Sequence, residues 1–482
     1  MASAEAKPSQ RAAFTSGSTM RHVVVMTATS SLGLVSIFIV DVINLFYISL
    51  LGQQELAAAI GYAATIMFFS ISICIGISIA TAALVGRALG AENQQAARQQ
   101  ATSSLFYLLV LSSGFALLLY PMLGWLLFLL GARGETLELA LVFMRIVVPS
   151  IPLLGLGMCM GALLRAKGDP KRAMFVTLSG GFAALILDPL FIFGFDLGIA
   201  GAAMATATVR LVLVLVGLWG VVRVHNMLGP FNLRRSLADI RPFLTIAVPA
   251  IATQLATPVG NAYVTHSIAE FGDDAVAGWA IIGRVLPVAF GVIFALSGSV
   301  GPILSQNYGA RAFDRVSSTM RDALLFTLIY CLVVWAILAL SHGWIISLFD
   351  ASDDAAVLVR VFCLFVAGSY LFNGALFVAN AAFNNLGFPI YATVFNWGRA
   401  TIGIIPFVMV GRLYGAEGVL IGWGLGAVVF GIGGAAVAFR QIKTLPSRDD
   451  DDDAGTNVPP TANSPFTSGK AASFAITPVP RK

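Results

Sequence analysis

Twelve apolar runs follow one another along the chain, each long enough to cross roughly 30 Å of hydrocarbon at about 1.5 Å per residue. No other feature narrows the fold as far. Their approximate limits are 22–51, 56–86, 99–120, 137–164, 172–194, 198–223, 241–268, 276–305, 320–341, 355–385, 389–411 and 416–440. In hydrocarbon, backbone hydrogen bonds must be made inside the segment, and runs of this length make them as helices. The expectation is an all-α polytopic membrane protein. Composition agrees, since only 11% of the 482 residues are charged, against about 25% in soluble domains. Pro149, Pro152, Pro249, Pro258, Pro287, Pro302 and Pro406 fall inside the runs and predict kinks.

Lys and Arg alternate sides at nearly every crossing. One set of loops carries Arg87 and Arg98, Lys171 and Arg172, Arg234 and Arg235, and Arg311 and Arg315. The alternate set carries Glu55, Asp196, Glu270, Asp273 and Asp350. By the positive-inside rule both termini are expected in the cytoplasm of a multi-pass inner-membrane protein. The net charge of +5 is then a matter of topology, and no nucleic-acid partner is expected. Residues 1–20 lack an apolar h-region, so the first span is expected to direct insertion itself. The expected organisation is a polar cytoplasmic N-terminus over 1–20, a first lobe of six helices over 21–225 and a cytoplasmic linker over 226–240. A second six-helix lobe follows over 241–442, and then a disordered acidic tail over 443–482. The tail's run from Asp449 to Asp453 and its Pro/Ser/Thr-rich sequence bury too little apolar surface to fold.

Cys74, Cys159, Cys331 and Cys363 lie singly in apolar runs, and the four histidines are scattered. Neither set has metal-ligand spacing. No Ser/His/Asp set or phosphate loop is present, so a transporter without a cofactor, working as a monomer, is expected rather than an enzyme. Only Asp41 and Asp188 place a carboxylate deep in a span. An intramembrane acid costs about 2.5–3.5 kcal/mol on insertion scales, which makes each a functional-site candidate. If the two shared a cavity, they could not both ionise cheaply, and the pair would hold a proton and release it on hydration. Asp188 could otherwise be a turn acid before Pro189, and Asp41 could pair with an arginine. Arg145, Arg210, Arg284 and Arg399 also lie at membrane depth. Arg210 could pair with a first-half acid, orient its lobe or snorkel. Gln254, Asn261, Asn373, Asn380 and Asn396 read as interhelical hydrogen-bonding groups or as ligands. Phe68, Phe69, Tyr370 and Phe377 read as core or as an amphipathic binding surface. From these, Asn261, Tyr370, Asn373 and Arg210 are the candidates for a substrate cavity.

The halves on either side of the linker repeat at an offset near 220 residues. Residues 41–60 align with 261–281, 81–97 with 301–316, 163–173 with 383–392, and 198–207 with 415–424. Two parallel six-span repeats are a recurrent transporter plan with the binding site at membrane depth.

With these strings in hand, the chain resembles the multidrug and toxic compound extrusion (MATE) family, in its bacterial DinF-like or NorM-like branches. The resemblance rests on Asp41 in VDVINLFYISLLGQQELAA, on LLRAKGDPKRAM and LILDPLFIFGFDLGIAGAAMATA, and on SQNYGARAFDRV with Arg284. It covers residues 22–440. It implies a V-shaped pair of bundles and alternating access. It also implies export of amphipathic, often cationic organic compounds in exchange for protons or sodium ions. The family's first-lobe acids and threonine fall on Asp41, Asp188 and Thr206. An asparagine that the family places one turn before the second acid is Ala184 here. Asn44, one turn from Asp41, could replace it. The second lobe has Asn261 where some sodium-coupled members carry an acid. Protons are therefore favoured, and Asp41, Asp188 and Thr206 would be metal ligands only in a sodium-coupled protein. The competing expectations are a lipid-linked precursor flippase of the same superfamily, marked by a cationic lateral cavity, and a membrane enzyme or receptor.

Overall fold

A computed structural model of the chain describes residues 12–49 and 54–446. Eleven stretches in it are long and apolar enough to span a membrane. The last, Pro389–Lys443, covers 55 residues and folds back on itself at Gly415, where φ is +85°. As one arm advances by four residues the other retreats by four: Gly418 lies on the Gly411 carbonyl, Gly422 on that of Phe407 and Gly426 on that of Gly403. A Cβ at any of the three would stand 2.5 Å or less from carbonyl oxygen, so this antiparallel hairpin needs glycine along one face.

The hairpin brings the total among the described residues to twelve helices. The first six are α1 (Thr19–Ser49), α2 (Gln54–Gly90), α3 (Gln94–Leu129), α4 (Gly134–Lys167), α5 (Pro170–Gly194) and α6 (Gly198–Val224). The second six are α7 (Leu233–Ala269), α8 (Asp273–Gly309), α9 (Phe313–Leu348), α10 (residues 353–386), α11 (residues 389–411) and α12 (Gly415–Lys443). Most exceed the expected spans by a turn or more, so their ends project beyond the hydrocarbon. Leu117, Leu340, Trp344 and Leu413 are among many large apolar side chains left facing outward, the surface a bilayer covers.

Helices α4 and α10 are interrupted by 3-10 turns at Val148–Ser150 and Val366–Ser369. Both helices end in glycine with positive φ, Gly168 at +91° and Gly387 at +95°, followed two residues later by the Pro that opens the next helix. The glycine supplies the left-handed cap and the proline restarts the chain. This Gly-x-Pro punctuation lies where the sequence repeat predicts it.

The two halves meet at the end of the bundle that carries the N-terminal segment and the basic loops. There α2 crosses α8 with no side chain between them: a Cβ on Gly90 would fall 2.0 Å from the Gln306 carbonyl, and one on Gly309 2.0 Å from that of Arg87. Contacts between the halves continue along α1 and α8 through Ser299 Oγ, which donates to the Met26 carbonyl (3.2 Å), to Gly291 beside Phe38.

Two expected boundaries shift. Residues 12–18, expected in a polar tail, pack into the seam between the halves, with Phe14 only 3% exposed. Helix α7 starts within the expected linker, with Asn232 capping the Arg235 amide (3.1 Å). Of the expected tail, residues 447–482 lie outside the described residues.

Candidate functional site

Asp188 occupies the last regular turn of α5, directly before Pro189 and the π-helical turn Leu190–Gly194. Proline removes an N–H and the wide turn breaks the i→i−4 ladder, a distortion common at functional positions. Asp188 is 2% exposed, and among the described residues no hydrogen-bond or ion-pair partner reaches its carboxylate. A buried carboxylate without a partner is costly and is not explained as a cap.

Three contacts fix what lies opposite. Gly33 packs on Thr177 and Gly181 on Val40, while the Tyr47 and Phe193 rings meet edge-on with centroids 6.3 Å apart. Helices α1 and α5 therefore run parallel in register, and Asp188, between Gly181 and Phe193, stands level with the α1 backbone between Val40 and Tyr47. That turn carries Asp41 and Asn44, whose side chains lie outside the described residues. On the other flank, Gly201 packs on the Phe191 carbonyl and Gly180 on Leu213, so α5 and α6 are antiparallel. Asp188 is level there with the α6 turn that holds Thr206. The Thr206 hydroxyl donates to the Ala202 carbonyl (2.9 Å), which leaves its oxygen free to accept. The sequence candidates of the first half thus share one depth.

Arg210, one turn beyond Thr206, does not reach an acid among the described residues. It donates to the Val147 carbonyl (3.0 Å) and to Ser150 Oγ (2.8 Å). Those are the acceptors exposed by the 3-10 break in α4, so Arg210 ties α6 to α4.

The second half is built differently. Tyr370 and Asn373, expected to line a cavity, are buried. Tyr370 stacks on Phe290 (centroids 4.3 Å apart), and beyond it Trp423 meets Trp279 edge-on at 5.2 Å. They form an aromatic wall, whereas Asn261 is exposed. Asn380 and Asn396 bond to each other (2.9 Å). Sequence reasoning gave Arg399 no role. It opens the π-helical turn Arg399–Gly403 and is 6% exposed. One Nη donates to Thr257 Oγ1 (3.1 Å), while Nε has no partner. The absence of a carboxylate deep in the second-half spans, whose acids such as Asp322 and Glu417 lie near helix starts, is the signal that could have marked it.

Outside the hydrocarbon, Asp169 gathers the junction of α4, α5 and α6. Its carboxylate caps α5 through the Arg172 amide (3.1 Å), accepts from the Arg172 guanidinium and bonds His225 Nε2 (2.8 Å). Burial pushes this carboxyl up, but the Arg172 and His225 bonds outweigh it and hold the group below the ordinary carboxylate value. Among the described residues no group of three or more His, Cys, Asp or Glu gathers as a metal site.

The family model MatE matches the chain twice, over residues 27–190 and 249–410, once in each half. The chain is 28% identical over 415 residues to the FAD transporter of Shewanella oneidensis, covering 84% of this chain and 91% of that protein. It is 25% identical over 396 residues to the multidrug export protein MepA of Staphylococcus haemolyticus, covering 80% and 85%. A crystal structure of a mutant Vibrio cholerae MATE transporter, VcmN, superposes with a TM-score of 0.84 at 25% identity, over 88% of this chain and 97% of that one.

Proposed function

The chain belongs to the MatE family of membrane transporters, and from that premise we propose that it is a proton-coupled exporter of amphipathic organic compounds that works by alternating access. The observation that carries this reading is Asp188, buried at 2% exposure and partnerless among the described residues, in register with the α1 turn of Asp41 and with Thr206. A carboxylate so placed holds a proton in a dry site and loses it when the site is wetted. Asp41 and Asp188 act as the proton carriers, Thr206 accepts a hydrogen bond from the protonated acid, and Asn44 is the amide of the same ion-coupling set. Ala184 removes an oxygen that a sodium site would use, which supports protons over sodium.

The basic loops sit where the halves are sealed. By the positive-inside rule that side is cytoplasmic, so both termini are cytoplasmic and the described state opens outward, in the inner membrane. Efflux in everted vesicles under an imposed proton or sodium gradient tests the reading. Proton-driven efflux that Asp188→Asn lowers by about a hundredfold is expected if proton transfer is lost. Unchanged coupled efflux in that variant would sink the mechanism.

Arg399 favours a second reading of the substrate. A buried guanidinium keeps its charge, and with no acid bonded to Arg399 among the described residues a ligand that brings the counter-charge is favoured. Substrates joining an aromatic system to a phosphate or carboxylate fit Arg399, Thr257 and the Tyr370 wall better than cations do. The relative named FAD transporter is consistent with that chemistry. Arg399→Ala is expected to raise the KM for an anionic flavin about tenfold or more and to leave cationic dyes unaffected. Equal loss for both classes would contradict it.

A further inference from the structure

The sealed side is closed by matched pairs of contacts. Gln306 of α8 reaches across the seam to the Ala166 carbonyl (2.6 Å), and Arg87 of α2 reaches back to the Asn385 carbonyl (2.9 Å). Each side chain binds the open C-terminal carbonyls of the other half's interrupted helix, α4 or α10, just before its Gly cap. A segment of chain is also held on this side by each half. Arg98 and Thr102 of α3 hold the linker, through Nε to the Leu228 carbonyl (2.9 Å) and Oγ1 to that of Gly229 (3.1 Å). Arg315 of α9 holds the N-terminal segment: its Nη1 donates to the Gly17 carbonyl (2.9 Å) and its Nη2 to that of Phe14 (2.8 Å) and Ser16 (3.2 Å).

The two segments differ in how they are tethered. The linker is fixed to α6 and α7 at both ends. Among the described residues the N-terminal segment continues into α1 only, and it is wired into a latch, because Gln306 Oε1, on the side chain that spans to Ala166, also accepts the Phe14 amide (2.9 Å). Asn307 Nδ2 donates to the Phe14 carbonyl (3.2 Å), and the Phe14 ring is buried against the second-half core. Ala13 lies against Gly168 of the first half, so close that a Cβ on that glycine would fall 2.4 Å from it.

We propose that residues 12–17 are a releasable clamp that holds the basic side of the transporter shut, and that Arg315 is the positioning residue that seats it. The clamp rests on the reading above that the halves alternate access and that this side is cytoplasmic. Its release frees Gln306 and unlocks one latch, which biases the seam toward opening on that side.

The test places spin labels at Gln95→Cys and Asp314→Cys, exposed residues at the starts of α3 and α9, in the full chain in nanodiscs. The four native cysteines are buried and stay in place. Loss in Arg315→Ala of the three charge-assisted bonds to the segment, with the Nε bond to Asn307 Oδ1 (2.9 Å), is expected to raise the wide-separation population about tenfold or more. Amide exchange at residues 12–18 should rise with it. Deletion of residues 2–17 should give the same shift, and Arg315→Lys an intermediate one. An unchanged distance distribution in both Arg315→Ala and the deletion overturns the proposal. Failure of both to fold overturns it equally, since a clamp that releases cannot be required for folding. The distances need no substrate, so a wild type without efflux but with clamp-dependent distances would fail the exporter reading alone.

Discussion

At the scale of single residues, the side chains that matter are those whose partners do not match their charge. Among the described residues Asp188 is a buried acid without a partner, Arg399 a buried cation without an acid, and Arg210 a cation satisfied by a carbonyl and a hydroxyl. Asp188 was legible in the sequence because a carboxylate in an apolar run has few uses. Arg210's partners were not, since they appear only where α4 breaks into a 3-10 turn and frees backbone carbonyls. Asp169 shows the opposite case, an acid fully matched outside the hydrocarbon. Its folded value is depressed, so its stabilising contribution is complete above about pH 4, the ordinary carboxylate range. That contribution disappears as pH falls through the depressed value. Asp169→Ala should lower stability by about 1 kcal/mol at pH 7 through the lost cap. Melting temperatures of wild type and variant should converge as the medium is acidified.

At the scale of elements, glycine decides which helices can touch. The duplicated Gly-x-Pro junctions were legible in the sequence as repeat marks, and they fall at the ends of α4 and α10 for the same physical reason in both halves. The α2–α8 crossing was not legible, because Gly90 and Gly309 are only members of the aligned stretches 81–97 and 301–316 until their backbone neighbours are known. Gly90→Ala should force the Gln306 carbonyl away and open the basic side. A thiol-reactive probe added from that side should then modify Ser305→Cys, which is buried in the closed seam. Protection equal to the parent would argue that the crossing tolerates a side chain. The N-terminal clamp was also missed from sequence, since its Ala/Ser-rich flank carries a single large apolar residue, Phe14, too little to mark a packed segment.

At the scale of the whole molecule, the repeat is symmetric in shape and asymmetric in chemistry. Both halves share interrupted helices, glycine caps and seam latches, but acids lie deep in the spans of the first half alone. That division fits proton coupling in one half and ligand anchoring in the other. The orientation is open to a direct check: Gln95→Cys should be labelled only from the cytoplasm, and a cysteine replacing Asp353, at the start of α10, only from outside. The account stands most directly on proton movement through the Asp188 site. Purified protein in liposomes with a trapped pH-sensitive dye, given an outward or inward gradient of a transported compound and no sodium, should shift lumenal pH in wild type and leave it flat in Asp188→Asn. Equal proton movement in the variant, or exchange that requires sodium and moves no protons, would contradict the account.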